Sequence, residues 1–259
     1  MKIIVCIKQV PDTTEVKLDP KTGRLIRDGV PSIINPDDKN ALEEALRIKD
    51  ENPDTTVTVV SMGPPQADVA MREALAMGAD EAILISGREF GGSDTWATSY
   101  IIATAIKKIP DYDIIFCGRQ AIDGDTAQVG PQIAEQLNIP QITYVQKLDS
   151  DKVIVQRQLE DGYTVVEAKM PVLLTAIKEL NTPRYMTPKG IFEAYNKTVQ
   201  VWGFNDVPVD AEKIGLKGSP TNVNRTFSPE AKGKGIMLEG ADKETVKTLI
   251  AKLDEKHLL

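Results

Sequence analysis

The run YDIIFCGRQAIDGDTAQVGP, residues 112–131, sets the architecture, because an apolar stretch stops at a glycine and helical spacing resumes shortly afterwards. Ile114, Ile115, Phe116 and Cys117 are apolar without alternation, which reads as a parallel strand buried on both faces. Residues 118–125 then form a loop at the strand's carboxyl end, where open α/β sheets bind ligands. Asp125 or Thr126 can cap the next helix, whose apolar side carries Ala127, Ile133, Ala134 and Leu137. Unpaired amides at such a helix start suit a phosphate. A capped strand-to-helix connection that holds no ligand fits the same residues.

The pattern extends in both directions. Residues 2–8 read as a strand, and a long excursion leads to Asn35 and Pro36, an N-cap and first-turn proline for a helix with Ala41, Leu42, Ala45, Leu46 and Ile48 on one side. Residues 57–60 form the next strand, running into Ser61, Met62, Gly63, Pro64 and Pro65. Ala67, Ala70, Met71, Ala74 and Leu75 then repeat at helical spacing until Gly78 stops the helix. A strand over 82–85 and an Asp94-capped helix with Tyr100, Ile101, Ala105 and Ile106 lead to the strand at Ile114. Strands linked by helices predict an α/β fold with a doubly wound, mostly parallel sheet.

From Ile142 the signals are strands without helices. Residues 153–158, a turn at Asp161 and Gly162, and residues 163–169 predict an edge hairpin, and 172–177 a further strand. Beyond Asn181, prolines and glycines prevent long regular elements until Val246, Leu249, Ile250 and Leu253 mark an amphipathic final helix. The expected organisation is an α/β domain over 1–195 and an extended arm over 196–259. That arm either packs on another chain or folds back on its own domain.

Composition removes several function classes. Lys plus Arg number 31 against 38 Asp plus Glu, a net charge of −7, which argues against a nucleic-acid surface. No apolar stretch approaches the ~20 residues of a membrane helix. With no basic leader or cleavage site at the start, a cytoplasmic protein without membrane insertion is expected, or a matrix protein whose leader is missing. Cys6 and Cys117, the only cysteines, suit buried packing in a reducing compartment, with ligand contact left open by their places at strand ends. The single histidine is His257, so no Ser/His/Asp or Cys/His constellation can form. Asp123 and Asp125 suit turn and cap positions better than a metal pair. No Walker lysine follows a glycine loop and no GxGxxG follows the first strand. Any chemistry must come from a bound cofactor.

Six short motifs occur in one order: Cys-Ile-Lys-Gln-Val-Pro at 6–11, Ile-Asn-Pro at 34–36, Ser-Met-Gly-Pro at 61–64, Ala-Met-Gly-Ala-Asp at 76–80, Gly-Arg-Gln-Ala-Ile-Asp at 118–123 and Asn-Thr-Pro-Arg-Tyr at 181–185. Together they resemble the β subunit of electron-transfer flavoproteins. The resemblance implies an adenine nucleotide α-hydrolase-like fold, a heterodimer with an α subunit, and an arm that reaches across to that subunit. It also implies an adenine nucleotide at the carboxyl edge of the sheet. Its contacts would fall on Cys6, on Asn35, Pro36, Asp37 and Asp38, on Met62, and on Gly118, Arg119, Gln120, Ala121, Ile122, Asp123, Gly124, Asp125, Thr126, Ala127, Gln128 and Val129.

The family has two branches. In one the β subunit holds AMP and a single FAD sits mainly on the α subunit; in the other a second FAD replaces AMP and takes a hydride from NADH. Residues 123–131 are similar to this bifurcating branch, as is Gly-Ser-Asp-Thr-Trp-Ala-Thr at 92–98, which puts flavin contacts on Asp94, Thr95 and Thr98. A glycine at 124 lets the backbone approach a pyrophosphate, and the two threonines offer hydroxyls to the flavin half. The implied activity is bifurcation of electrons from NADH to ferredoxin or flavodoxin and, through the α-subunit FAD, to an acyl-CoA dehydrogenase-like flavoenzyme. The alternatives are a single-flavin carrier with structural AMP and a nucleotide-sensing module without redox chemistry. Residues 181–191 match the family's partner-docking loop, but Pro188 stands where some single-flavin relatives carry a leucine.

Overall fold

Apolar runs without alternation need cover on both faces, and the computed structural model, which describes residues 1–12, 31–150, 152–224, 233 and 235–259, gathers them in a nine-stranded sheet. Strand β1 (Lys2–Cys6) leads to a short antiparallel pair, β2 (Gln9–Pro11) with β3 (Ser32–Ile34). The long excursion expected between them falls mostly on residues 13–30, outside the described residues. Then follow α1 (Pro36–Glu51), β4 (Thr56–Met62), α2 (Asp68–Met77), β5 (Glu81–Ile85), α3 (Thr95–Ile106), β6 (Ile114–Gly118) and α4 (Val129–Leu137). The chain continues through β7 (Gln141–Asp149), β8 (Ile154–Gln158), β9 (Tyr163–Glu167), β10 (Val172–Ala176), α5 (Pro188–Asn196), β11 (Val199–Trp202), the short α6 (Gly215–Gly218) and α7 (Lys243–Glu255).

The sheet order is β11-β5-β4-β1-β6-β10-β7-β8-β9. From β11 through β7 every pairing is parallel, and β8 and β9 add antiparallel strands at one edge. This is the predicted α/β architecture. The two faces alternate residue by residue: Ile3, Val5, Ile114 and Phe116 pack with Leu42 and Leu46 of α1 and Met71 of α2, whereas Ile4 and Ile115 pack with Ile101 of α3 and Ile133 of α4. Each such fully buried side chain contributes roughly 1.5–3 kcal/mol.

The hairpin turns where expected, with Gln158 opposite Tyr163, and it prolongs the sheet in its own plane through β7. Strand β11 was not legible in the sequence. Four residues among prolines and glycines give no period, yet Val199 pairs with Ala82 and Trp202 with Ile85. The first compact unit therefore runs Met1–Val223, beyond the 1–195 span read from the sequence. The second unit, Asn224–Leu259, contains α7, capped by Asp242, whose Oδ1 accepts from Thr245 N at 2.8 Å. Val246, Leu249 and Ile250 of α7 are about half exposed.

From β1 the order proceeds one way through β4 and β5 and the other way through β6 and β10. The gap between the ends of β1 and β6 is thus the switch point where a doubly wound sheet leaves a crevice.

Candidate functional site

That crevice is a cavity of about 380 Å³. Cys6, Cys117 and Met62 line it from the strand ends, Gly118 and the residues after it from the loop into α4, and Ser93, Asp94, Thr95 and Thr98 from the start of α3.

Asp38, in the first turn of α1, locks the base of the site. Its Oδ2 accepts from Lys8 N at 2.8 Å and its Oδ1 from Gly118 N at 3.0 Å, so one carboxylate ties the chain just past β1 to the end of β6. Burial pushes its pKa up to about 7, against the downward pull of hydrogen bonds from the Asn35 side chain and the two amides. Gly118 has no room for a side chain: a Cβ there would stand 2.2 Å from Asp38 Oδ1 and 2.6 Å from Asp38 N. Cys6 and Cys117 are in-register partners on β1 and β6. Hydrogen bonding to Cys6 and burial push the Cys117 thiol well up, so it is a neutral packing group rather than a nucleophile.

The loop above this base is pinned from behind. Asn35 occupies the N-cap position of α1 but makes no side-chain capping bond, contrary to the sequence expectation. Instead its Nδ2 donates to Gln120 O at 2.8 Å and its Oδ1 accepts from Ile122 N at 3.0 Å. Pro36 at the first helical position fixes the entry of α1. Arg119 Nε stands 3.3 Å from Asp37 Oδ2, Lys8 Nζ 2.6 Å from Asp123 Oδ1, and Gln120 Nε2 donates to Asp125 Oδ1 at 2.8 Å.

The mouth of α4 differs from the expectation that Asp125 or Thr126 caps it. The N-cap is Gln128, and no side chain caps the helix. Asp125 (φ 50) and Ala127 (φ 52) are both left-handed, which swings the loop away before the helix begins. A left-handed residue followed by right-handed Gln128 is the backbone form that turns successive N–H groups toward one point. Among the described residues, none of the five N–H groups from Thr126 to Gly130 meets an acceptor, and all five residues line the cavity. Pro131 carries no N–H to satisfy. Gly130 lets the first turn press onto the strand ends, since a Cβ there would lie 3.0 Å from Thr175 Cγ2 and 3.4 Å from Cys117 Cβ.

At the α3 end Asp94 is the N-cap, as read from the sequence, with Oδ1 accepting from Ala97 N at 3.0 Å. The hydroxyls of Thr95 and Thr98 have no partner among the described residues.

Of the residues singled out in the sequence, Cys6, Asp38, Met62, Asp94, Thr95, Thr98, Gly118, Arg119, Gln120, Ala121, Gly124, Thr126, Ala127, Gln128 and Val129 line the cavity. Asn35, Pro36, Asp37, Ile122, Asp123 and Asp125 do not, and most of them hold the lining residues in place. Sequence reasoning missed Ile7, Lys8, Ser93, Ile102 and Gly130. A lysine just past a buried strand and a glycine beside a proline at a helix start were the available signals. No three His, Cys, Asp or Glu side chains converge on a metal-binding geometry among the described residues.

A family model described as the electron transfer flavoprotein domain matches residues 22–207. Over all of both chains the sequence is 61% identical to the electron transfer flavoprotein subunit beta of Thermoanaerobacterium thermosaccharolyticum. It is 58% identical to subunit CarD of the caffeyl-CoA reductase-Etf complex of Acetobacterium woodii, and 53% identical to the acryloyl-CoA reductase electron transfer subunit gamma of Anaerotignum propionicum. Those two matches also cover 100% of each chain.

Proposed function

The chain belongs to the electron transfer flavoprotein family as a β subunit, and from that footing we propose that its cavity binds FAD and that its complex with an α subunit bifurcates electrons. The observation that carries this reading is the run of acceptor-free amides over 126–130, in a cavity that extends to the free hydroxyls of Thr95 and Thr98. Donors bunched in this way suit the several oxygens of a pyrophosphate, and the threonines suit the polar edge of a ring beyond it. When bound, FAD would supply the redox chemistry, taking a hydride from NADH and passing electrons singly to ferredoxin or flavodoxin and to the α-subunit FAD that serves an acyl-CoA dehydrogenase-like flavoenzyme.

The chain's own residues bind and orient. Lys8, paired with Asp123, holds a cation at the rim near the phosphate cradle. Cys6, Met62 and the neutral Cys117 thiol give the base of the cavity a soft, uncharged surface. The half-exposed stripe of α7, Val246, Leu249 and Ile250, would pack on the α subunit. Among the described residues no helix is long and apolar enough to cross a membrane.

The docking role of residues 181–191 belongs to the same proposal. Arg184 anchors the loop to α1 through Glu43, with Nε to Oε2 at 2.8 Å, and through Asp50 at 2.8 Å. Beside this anchor Tyr185 is 95% exposed and Met186 41% exposed.

A stopped-flow experiment on the purified heterodimer tests the proposal. NADH is expected to bleach the flavin absorbance rapidly, with two flavins per heterodimer. One flavin and no bleach would leave the AMP-bearing carrier as the correct reading.

A further inference from the structure

The start of α3 is tied down from the far end of the first unit. Asp94 caps the helix with one oxygen, but its Oδ2 also accepts from Thr221 N at 2.8 Å and its own N–H donates to Ser219 Oγ at 2.9 Å. Ser219 is 6% exposed and donates onward to Gly215 O at 2.7 Å, while Gly215 N donates to Ser93 Oγ at 3.0 Å. Two left-handed glycines permit this close approach. A Cβ on Gly215 (φ +64) would stand 2.5 Å from Glu89 O, and one on Gly92 (φ +79) would stand 3.1 Å from Leu216 Cβ.

An ordinary N-cap uses a single side-chain oxygen. Here the second oxygen, a charged acceptor, is committed to Thr221, just before the second unit begins at Asn224. On the other side, Ser93, Asp94, Thr95 and Thr98 line the cavity. The same backbone that presents the two threonine hydroxyls is therefore held by the root of the C-terminal segment.

We infer that residues 215–221 form a strap that sets the α3 end of the cavity, with Ser219 and Thr221 as positioning residues acting through Asp94. Retention of the flavin half thereby depends on this strap. This inference rests on the reading of the cavity as an FAD site.

In the heterodimer, Thr221→Pro deletes the N–H that Asp94 receives, whereas Thr221→Ala keeps it. FAD is expected to leave the β-subunit site about tenfold faster in the proline variant, the scale of one charge-assisted hydrogen bond. The alanine variant should match the wild type. Should the proline variant fail to fold, Ser219→Ala takes its place, with the same faster release expected. FAD bound and released at the wild-type rate from the folded variant overturns the strap and leaves the FAD site standing. If the cavity instead proves to hold AMP, the FAD reading fails and the strap is judged by amide hydrogen exchange over residues 94–98. Faster exchange in Thr221→Pro than in Thr221→Ala supports it, and equal exchange overturns it.

Discussion

The base of the cavity and its rim are built from the same kinds of residue on opposite terms. At the base both oxygens of Asp38 are occupied by backbone amides, and Gly118 sits so close to α1 that no Cβ fits. At the rim, amides over 126–130 have no acceptor among the described residues, and a Cβ on Gly124 would meet nothing within 4 Å. The base commits its polar groups to the fold, and the 126–130 amides of the rim stay open. Substitutions at the base should therefore read out in stability, and those at the rim in binding.

The largest effect is expected from Gly118→Ala. The added methyl collides with Asp38 and the α1 backbone, and urea unfolding should show a loss of about 3 kcal/mol, at the upper end of overpacking costs. A change below about 0.5 kcal/mol would mean that the base can relax and the contrast is false.

Asp38 gives the contrast a pH signature. Its folded pKa of about 7 lies above the ordinary 3.8, so the folded state binds the proton more tightly than the unfolded one. The stability that this group contributes is fully present below about pH 4. It drains as pH rises toward 7, by at most about 1.4 kcal/mol per unit. Relative to Asp38→Asn, which cannot titrate, the wild type should lose stability between pH 5 and pH 8. Parallel urea midpoints across that range would remove the buried-carboxyl account.

At the rim, Gly124→Ala should leave the urea midpoint within about 0.5 kcal/mol of wild type while weakening FAD binding about tenfold by crowding the pyrophosphate. A variant that loses stability but keeps its affinity would invert the comparison. The smallest effect on the chain itself is expected from Met186→Glu, on the exposed loop. Stability and bound flavin should be unchanged, and electron delivery to the partner flavoenzyme slowed. Unchanged transfer kinetics would take the docking role from this side chain.

Most of the framework was legible in the sequence because burial on both faces writes itself as continuous apolar runs. Ile114 to Cys117 and the stretch from Ile3 marked the strands whose carboxyl ends form the cavity, and Asp94 announced the α3 cap. What stayed hidden depends on long-range placement. Asp38 reads as one more acidic residue in a first helical turn, and nothing local says that it meets Lys8 and Gly118. Val199 to Trp202 is too short to show a period, and Ser219 and Thr221 look like linker residues until α3 is seen against them. The expected cap at Asp125 or Thr126 failed for the converse reason. Local preference favoured a capped helix, and the left-handed turn at Asp125 and Ala127 leaves the helix start open.

The most direct test of the account is to release the nucleotides from the intact, NADH-active heterodimer with acid and quantify them chromatographically. Two FAD per heterodimer and no AMP is the predicted result. One FAD with one AMP would contradict the claim that the open amides of the rim grip a pyrophosphate.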